Sequence, residues 1–239
     1  MRLTRLVAHT SAAAISLLVS SPAWATTPGL GLPSDVVRTA LILTLLAVIP
    51  SILICMTSFV RIVVVLSMVR HAFGMPETPP NPVLVSLALF MTAFVMSPAL
   101  TAVNSTAIQP LLANRIGVEE AMKKGSAPLR DFMLAQTRDA DIEAIYAIAH
   151  ATPPERPEQV EIMKLAPAFM LNELRVSFTI GFVILLPFLL IDLVVSAILL
   201  SLGMMMVPPA TISLPIKLLM FVLIDGWSLV LQGVLGSFR

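Results

Sequence analysis

Few residues in this chain are suited to chemistry, and they sit in unusual company. Asp192 stands in a largely apolar run, Ile191 to Val207, which carries Met204, Met205 and Met206 in succession and closes on Pro208 and Pro209. A carboxylate among apolar side chains is costly, and it marks either a function or an opposite charge nearby. Asp192 lies twelve residues before Met204, and Lys217 eight after Pro209. The two can therefore meet across a hairpin, within one chain or between copies. Arg61 and Asp225 are two further ions in apolar surroundings. The set has two readings: structural ion pairs, since a buried charge is tolerated chiefly beside its opposite, or a relay that passes protons. Spacing alone does not say which acid meets which base.

The methionines suggest a different kind of chemistry. Their side chains are unbranched and polarizable, so three in a row at a turn make a soft, deformable apolar surface. Gly203 suits the turn before them, and Pro208-Pro209 ends it, because proline lacks the N–H a continuing helix needs. The combination points to a seal rather than a catalytic centre, the plainer reading being core filler. No enzyme and no cofactor are expected. His9, His71 and His150 lie far apart with no Cys or His at metal-ligand spacing, and there is no phosphate-binding glycine loop. The single cysteine, Cys55, has no partner for an internal disulfide.

The elements that position these residues are set by an apolar composition. Hydrophobic residues make up 57% of the 239 and charged residues 12%, against roughly 45–50% and 25% in soluble domains. The chain reads as all-α and membrane-embedded. A net charge of +1 and 6% aromatics give no footprint for nucleic acid.

Residues 1–25 read as a signal peptide: Arg2 and Arg5, an apolar core from Ala12 to Val19, and a small-residue site at Ala23-Trp24-Ala25, with cleavage after Ala25. A short mature segment, 26–36, follows. Residues 37–103 form a first hydrophobic helical hairpin whose arms are charge-free from Thr39 to Val60 and from Val83 to Val103. The proline-rich stretch from Gly74 to Pro82 turns the chain between them. Residues 104–175 are polar and helical, with eight of the fifteen Lys and Arg and ten of the fourteen Asp and Glu. Gly125 and Pro128 are expected to break this segment's first helix from its second. Residues 176–239 form the second hairpin, starting near Phe178 and turning at the methionines. With a cleaved signal peptide, two crossings place the polar segment outside and both hairpin turns inside.

At this level of detail the chain resembles a known family. Met56-Thr57-Ser58-Phe59-Val60-Arg61-Ile62, Pro79-Pro80-Asn81, Leu87-Ala88-Leu89-Phe90, Ile180-Gly181-Phe182, Pro187 through Val195, Gly203 through Pro209, and Phe221 through Trp227 are similar to runs of the flagellar biosynthetic protein FliP family. The resemblance extends from about Val37 to Ser237. One departure is Asn172 before Glu173-Leu174, where a serine is expected.

The resemblance implies an inner-membrane component of the flagellar basal body whose polar segment is periplasmic. It implies a ring of five copies, assembled with FliQ-like and FliR-like subunits into the gate of a type III export apparatus. FlhA-like and FlhB-like components and unfolded flagellar proteins are the other implied partners. The gate is a helical cone raised toward the periplasm, so the hairpins need not be simple spans. The methionine loop of the family implies that Met204, Met205 and Met206 project into the pore. A proton-coupled transporter or ion-channel subunit using Asp192 and Asp225 is the alternative.

Overall fold

The computed structural model describes residues 54–238 except 76 and 155, and before these Thr39, Leu43, Thr44, Ala47, Pro50 and Ser51. The signal peptide, its cleavage site at Ala25 and the segment 26–36 lie outside the described residues. The chain divides into two units, Met1–Leu46 and Ala47–Arg239. In the first, Thr39, Leu43 and Thr44 are helical. Among its described residues the second is built of helices joined by turns and loops, with no strand.

Its helices run in the order α1 (Phe59–Ala72), α2 (Asn81–Val103), a π turn (Asn104–Ile108), α3 (Gln109–Leu112), α4 (Val118–Gln136), α5 (Asp139–Ile148), a 3₁₀ turn (Pro157–Gln159), α6 (Ile162–Ser201), α7 (Pro209–Leu223) and α8 (Gly226–Leu235). Proline punctuates the starts. Pro80 precedes α2 and Pro208 precedes α7, while Pro82 and Pro209 occupy the first turns, where the missing N–H costs nothing. Helix α1 is rich in β-branched residues that favour strands in isolation. It forms because one face, Ile62, Val65, Leu66 and Val69, is wholly buried. Packing overrides propensity there.

Two cores result. The first joins α1, α2, α6, α7 and α8 around Ile62, Leu66, Leu84, Phe188, Phe221 and Val234. Phe73 meets the edges of Phe188 and Phe221 at centroid distances of 5.3 and 4.6 Å. The second lies in the polar segment and its continuation, where Met133, Ile142, Tyr146, Val160, Leu165 and Phe169 close together. Helices α1 and α6 approach tightly at Gly181, where a Cβ would stand 2.2 Å from the Met68 sulfur.

Three sequence expectations change. The uncharged stretch before Arg61 is not one helix, because the helical backbone lapses over Met56–Ser58 before α1 starts. Gly125 and Pro128 do not break a helix; both lie inside α4. Gly125 is there for space, its missing Cβ sparing a 3.2 Å contact with the Ala107 Cβ. Pro128 lacks the N–H that would reach the carbonyl of Lys124, and the helix continues through it. Finally, the boundary at 175/176 falls inside α6, which runs unbroken for 40 residues. At 1.5 Å per residue α6 is about 60 Å long, about twice a bilayer's apolar thickness of roughly 30 Å. The last helix of the polar segment and the first arm of the second hairpin are thus a single rod. Two helical stretches, Asn81–Leu112 and Ile162–Ser201, are long and apolar enough to cross a membrane, and α7 with α8, bent by 67°, makes a third only if counted as one span.

Candidate functional site

The methionine turn is held by its backbone. At the end of α6 the Gly203 N–H donates to the Leu200 carbonyl (3.1 Å) and the Met204 N–H reaches back to the Leu199 carbonyl (2.9 Å). Gly203 sits at φ +75°, a left-handed conformation that glycine adopts without steric cost. The Val207 N–H then closes on the Met204 carbonyl (3.4 Å), and Pro208 leads into α7. The three side chains gain nothing from this folding. Met204 is 43% exposed, Met205 79% and Met206 96%. Within one chain they are not core filler.

Behind the turn, the hairpin arms are tied by charge. The Lys217 Nζ on α7 donates to Asp192 Oδ2 on α6 at 2.6 Å and to the Ala72 carbonyl at the end of α1 at 3.2 Å. Lys217 is buried, whereas the Asp192 side chain is 38% exposed. The ammonium therefore links three helices, bracing the methionine hairpin against the α1–α2 connection. A cavity of about 260 Å³ opens over this pair, walled by Phe73, Leu185 and Phe188 and rimmed by His71 and Pro209. Nearby, the Arg70 guanidinium donates to Asn81 Oδ1 and the Pro79 carbonyl, fastening the α1–α2 turn.

Removing one partner exposes the worth of this tie. Asp192→Ala leaves Lys217 with the Ala72 carbonyl alone. Because water reaches Asp192, the expected loss is about 1–3 kcal/mol, less than for a fully buried pair. Thermal unfolding of the detergent-solubilised protein is the check, with partial recovery expected in the double variant Asp192→Lys/Lys217→Asp. A single variant that melts with the wild type, yet abolishes function, would favour the relay.

Arg61 has a partner that its sequence neighbourhood did not indicate. Its Nε donates to Glu173 Oε2 at 2.8 Å, and a second guanidinium nitrogen contacts the other carboxylate oxygen. Both side chains are essentially inaccessible to solvent. The remaining donors are satisfied by the Ser237 carbonyl and hydroxyl, at 2.9 and 3.0 Å, and by Gln136 Oε1 at 3.3 Å. The Phe238 ring stacks on the guanidinium, 3.9 Å from its carbon. One arginine thus gathers α1, the end of α4, α6 and the segment after α8. Glu173 reads in sequence as one more acid of the polar segment. The available signal is that it lies, like Asp192, among apolar neighbours, in the run Leu165 to Phe178.

Asp225 does not join either pair. It is exposed, and it stands at the bend between α7 and α8 with φ +50°. Its backbone is set by Phe221, whose ring covers Gly226 so closely that a Cβ there would lie 2.1 Å from it. Of the four ions expected to be buried, the structure brings Asp192 to Lys217, gives Arg61 to Glu173, and leaves Asp225 on the surface. His71, in α1, and His150, in the turn after α5, lie apart in sequence, and the His71 Nδ1–H donates to the Ser67 carbonyl (2.7 Å).

The sequence is similar to known proteins. A profile described as the FliP family matches residues 42–234. The flagellar biosynthetic protein FliP of Pectobacterium carotovorum subsp. carotovorum is 47% identical over 94% of this chain and 91% of its own length. That of Bacillus subtilis is 45% identical over 86% of this chain and 93% of its own, and that of Caulobacter vibrioides is 46% identical over 88% and 79%. With a family profile matched over residues 42–234 and this extent of identity, the chain belongs to the FliP family.

Proposed function

We propose that the chain is a core subunit of the flagellar type III export gate and not an enzyme. Five copies form a ring whose pore passes unfolded flagellar proteins, and the methionine turn seals it. The observation that carries this reading is the exposure of Met205 and Met206 on a backbone turn fixed by hydrogen bonds. A rigid turn that presents unpartnered thioethers suits a surface that closes only when several copies meet. A narrow apolar constriction excludes hydrated ions by dewetting, and flexible methionines yield to a passing chain. FliQ-like and FliR-like subunits complete the gate, and FlhA-like and FlhB-like components adjoin it. The assembly lies in the inner membrane at the flagellar basal body, with the polar segment periplasmic.

The alternative, a proton-coupled transporter with Asp192 and Asp225 as carriers, draws less support. Asp192 is engaged by Lys217, and Asp225 stands on the outside of the chain.

Cross-linking tests the ring. In a Cys55→Ala background, Met206→Cys in the assembled complex should react with a short bismaleimide to give a covalent dimer of this chain, the largest product that one thiol per subunit allows. Only monomer after treatment would overturn a central position for the turn.

Delivery is a separate matter. The charged start and the Ala23-Trp24-Ala25 site support processing after Ala25, so the protein isolated from membranes should begin at Thr26. Edman sequencing that finds intact Met1 in the assembled complex would remove the cleaved leader.

A further inference from the structure

The methionines of this chain occupy opposite environments. Met96 and Met133 are 1% and 0% exposed, while Met206 at 96% is the most exposed large apolar side chain among the described residues, with Met205 beside it. A thioether accepts an oxygen atom from peroxide, and the sulfoxide that results is polar. The surroundings of the turn magnify what such an oxygen would do. No charged residue lies between Asp192 and Lys217. The hydroxyls of Ser201 and Thr211 donate to the Ile198 and Pro208 carbonyls, and the N–H groups of Gly203, Met204, Met205 and Val207 are likewise engaged. The Met206 N–H is left without a carbonyl partner, one donor for three sulfoxides. A sulfoxide oxygen only accepts hydrogen bonds, so neighbouring copies cannot satisfy one another. Each new oxygen must draw water, because an unbonded polar group among apolar ones is costly.

We propose, resting on the turn's role as the seal, that Met205 and Met206 are a reversible oxidation site at which peroxide turns the apolar constriction into a wet one and opens the gate to ions. The sulfur lone pair attacks one peroxide oxygen. The S–O bond forms as the O–O bond breaks, and the proton of the transferred oxygen leaves with the departing hydroxide as water. Sulfur gives up two electrons and the peroxide takes them. Two thiols acting through a methionine sulfoxide reductase reverse the change, forming a disulfide and water. A seal across a pore borders water on both sides, so the thioethers at its edges stay within reach of a molecule little larger than water. An exported chain that parts the rest brings peroxide to them too.

Vesicles holding the full gate complex decide it, with Cys55→Ala removing this chain's competing thiol. After hydrogen peroxide, mass spectrometry should find sulfoxide at Met205 and Met206 ahead of Met96 and Met133. The ion leak should rise on the order of tenfold, the factor that about 1.4 kcal/mol of easier wetting supplies. Methionine sulfoxide reductases for both sulfur configurations, with dithiothreitol, should reverse mass and leak together. Met122 and Met163 are also exposed, so Met122→Leu/Met163→Leu should leave the peroxide response unchanged. Met204→Leu/Met205→Leu/Met206→Leu keeps the turn apolar with no sulfur to oxidise, and whatever that variant leaks at rest, peroxide should not raise it. Unmodified Met205 and Met206 while Met163 is oxidised overturns the proposal, as does a peroxide-driven leak in the triple leucine variant equal to that of the wild type. Sulfoxide at both positions without a leak also overturns it. In that case a tight triple alanine variant refutes the seal as well, whereas a leaking one leaves the seal standing and removes only the oxidation site.

Discussion

Replacing Met204, Met205 and Met206 together by alanine is expected to yield a complex of normal composition that leaks small ions. Gly203, the hydrogen bonds to Leu199 and Leu200, and Pro208-Pro209 all survive the substitution, so the turn keeps its shape. The side chains lost are the exposed ones, and their removal empties no core within the chain. Three long thioethers per subunit disappear from the constriction, which widens and wets, and dewetting no longer blocks ions. Cells carrying the variant gate in abundance should lose membrane potential, as read with a potential-sensitive dye. Buried methionines would behave oppositely. Truncating each would cost about 2–5 kcal/mol and deplete the complex. Loss of assembly with no leak would therefore refute the seal.

How far these features can be read in the sequence depends on how local their causes are. The methionine turn is legible because its signals are contiguous: a glycine where φ is positive, three methionines and two prolines within Gly203–Pro209. Asp192 and Lys217 are legible as a possible pair for a similar reason, since one hairpin places them opposite each other. The hairpin arms follow from long uncharged runs. Glu173 fails this standard. It reaches Arg61 across 112 residues, and nothing in the helical spacing around either residue carries that information. The continuity of α6 is hidden by composition, because a shift from mixed to apolar residues near 175 resembles a boundary while leaving the helical backbone undisturbed. Gly125 misleads through its average behaviour. In an isolated helix a glycine costs about 1 kcal/mol, but here the close approach of α4 to Ala107 makes it the residue that fits. Asp225 reads in sequence as one of the buried ions because its neighbours are apolar, yet at this bend Val222, Leu223 and Ile224 are exposed with it.

The other large effect is expected at Glu173. Glu173→Ala removes both carboxylate contacts and leaves the Arg61 charge buried with only neutral acceptors, the Ser237 and Gln136 oxygens. Losing one member of a fully buried pair costs on the order of 3–5 kcal/mol, a large share of the roughly 5–15 kcal/mol that holds a domain together. The damage should spread, because Arg61 gathers α1, α4, α6 and the segment after α8, and these separate when the guanidinium is left without its counter-ion. Much less protein should accumulate in the membrane, and what is extracted should unfold at a lower temperature and yield little complex on size-exclusion chromatography. Two comparisons isolate the cause. Glu173→Gln, which retains size and one acceptor, should fall between alanine and wild type. The double variant Arg61→Met/Glu173→Leu should be more stable than Glu173→Ala alone, since it removes the stranded charge together with its partner. If Glu173→Ala accumulates and melts like the wild type, the Arg61 cluster is not what joins these helices.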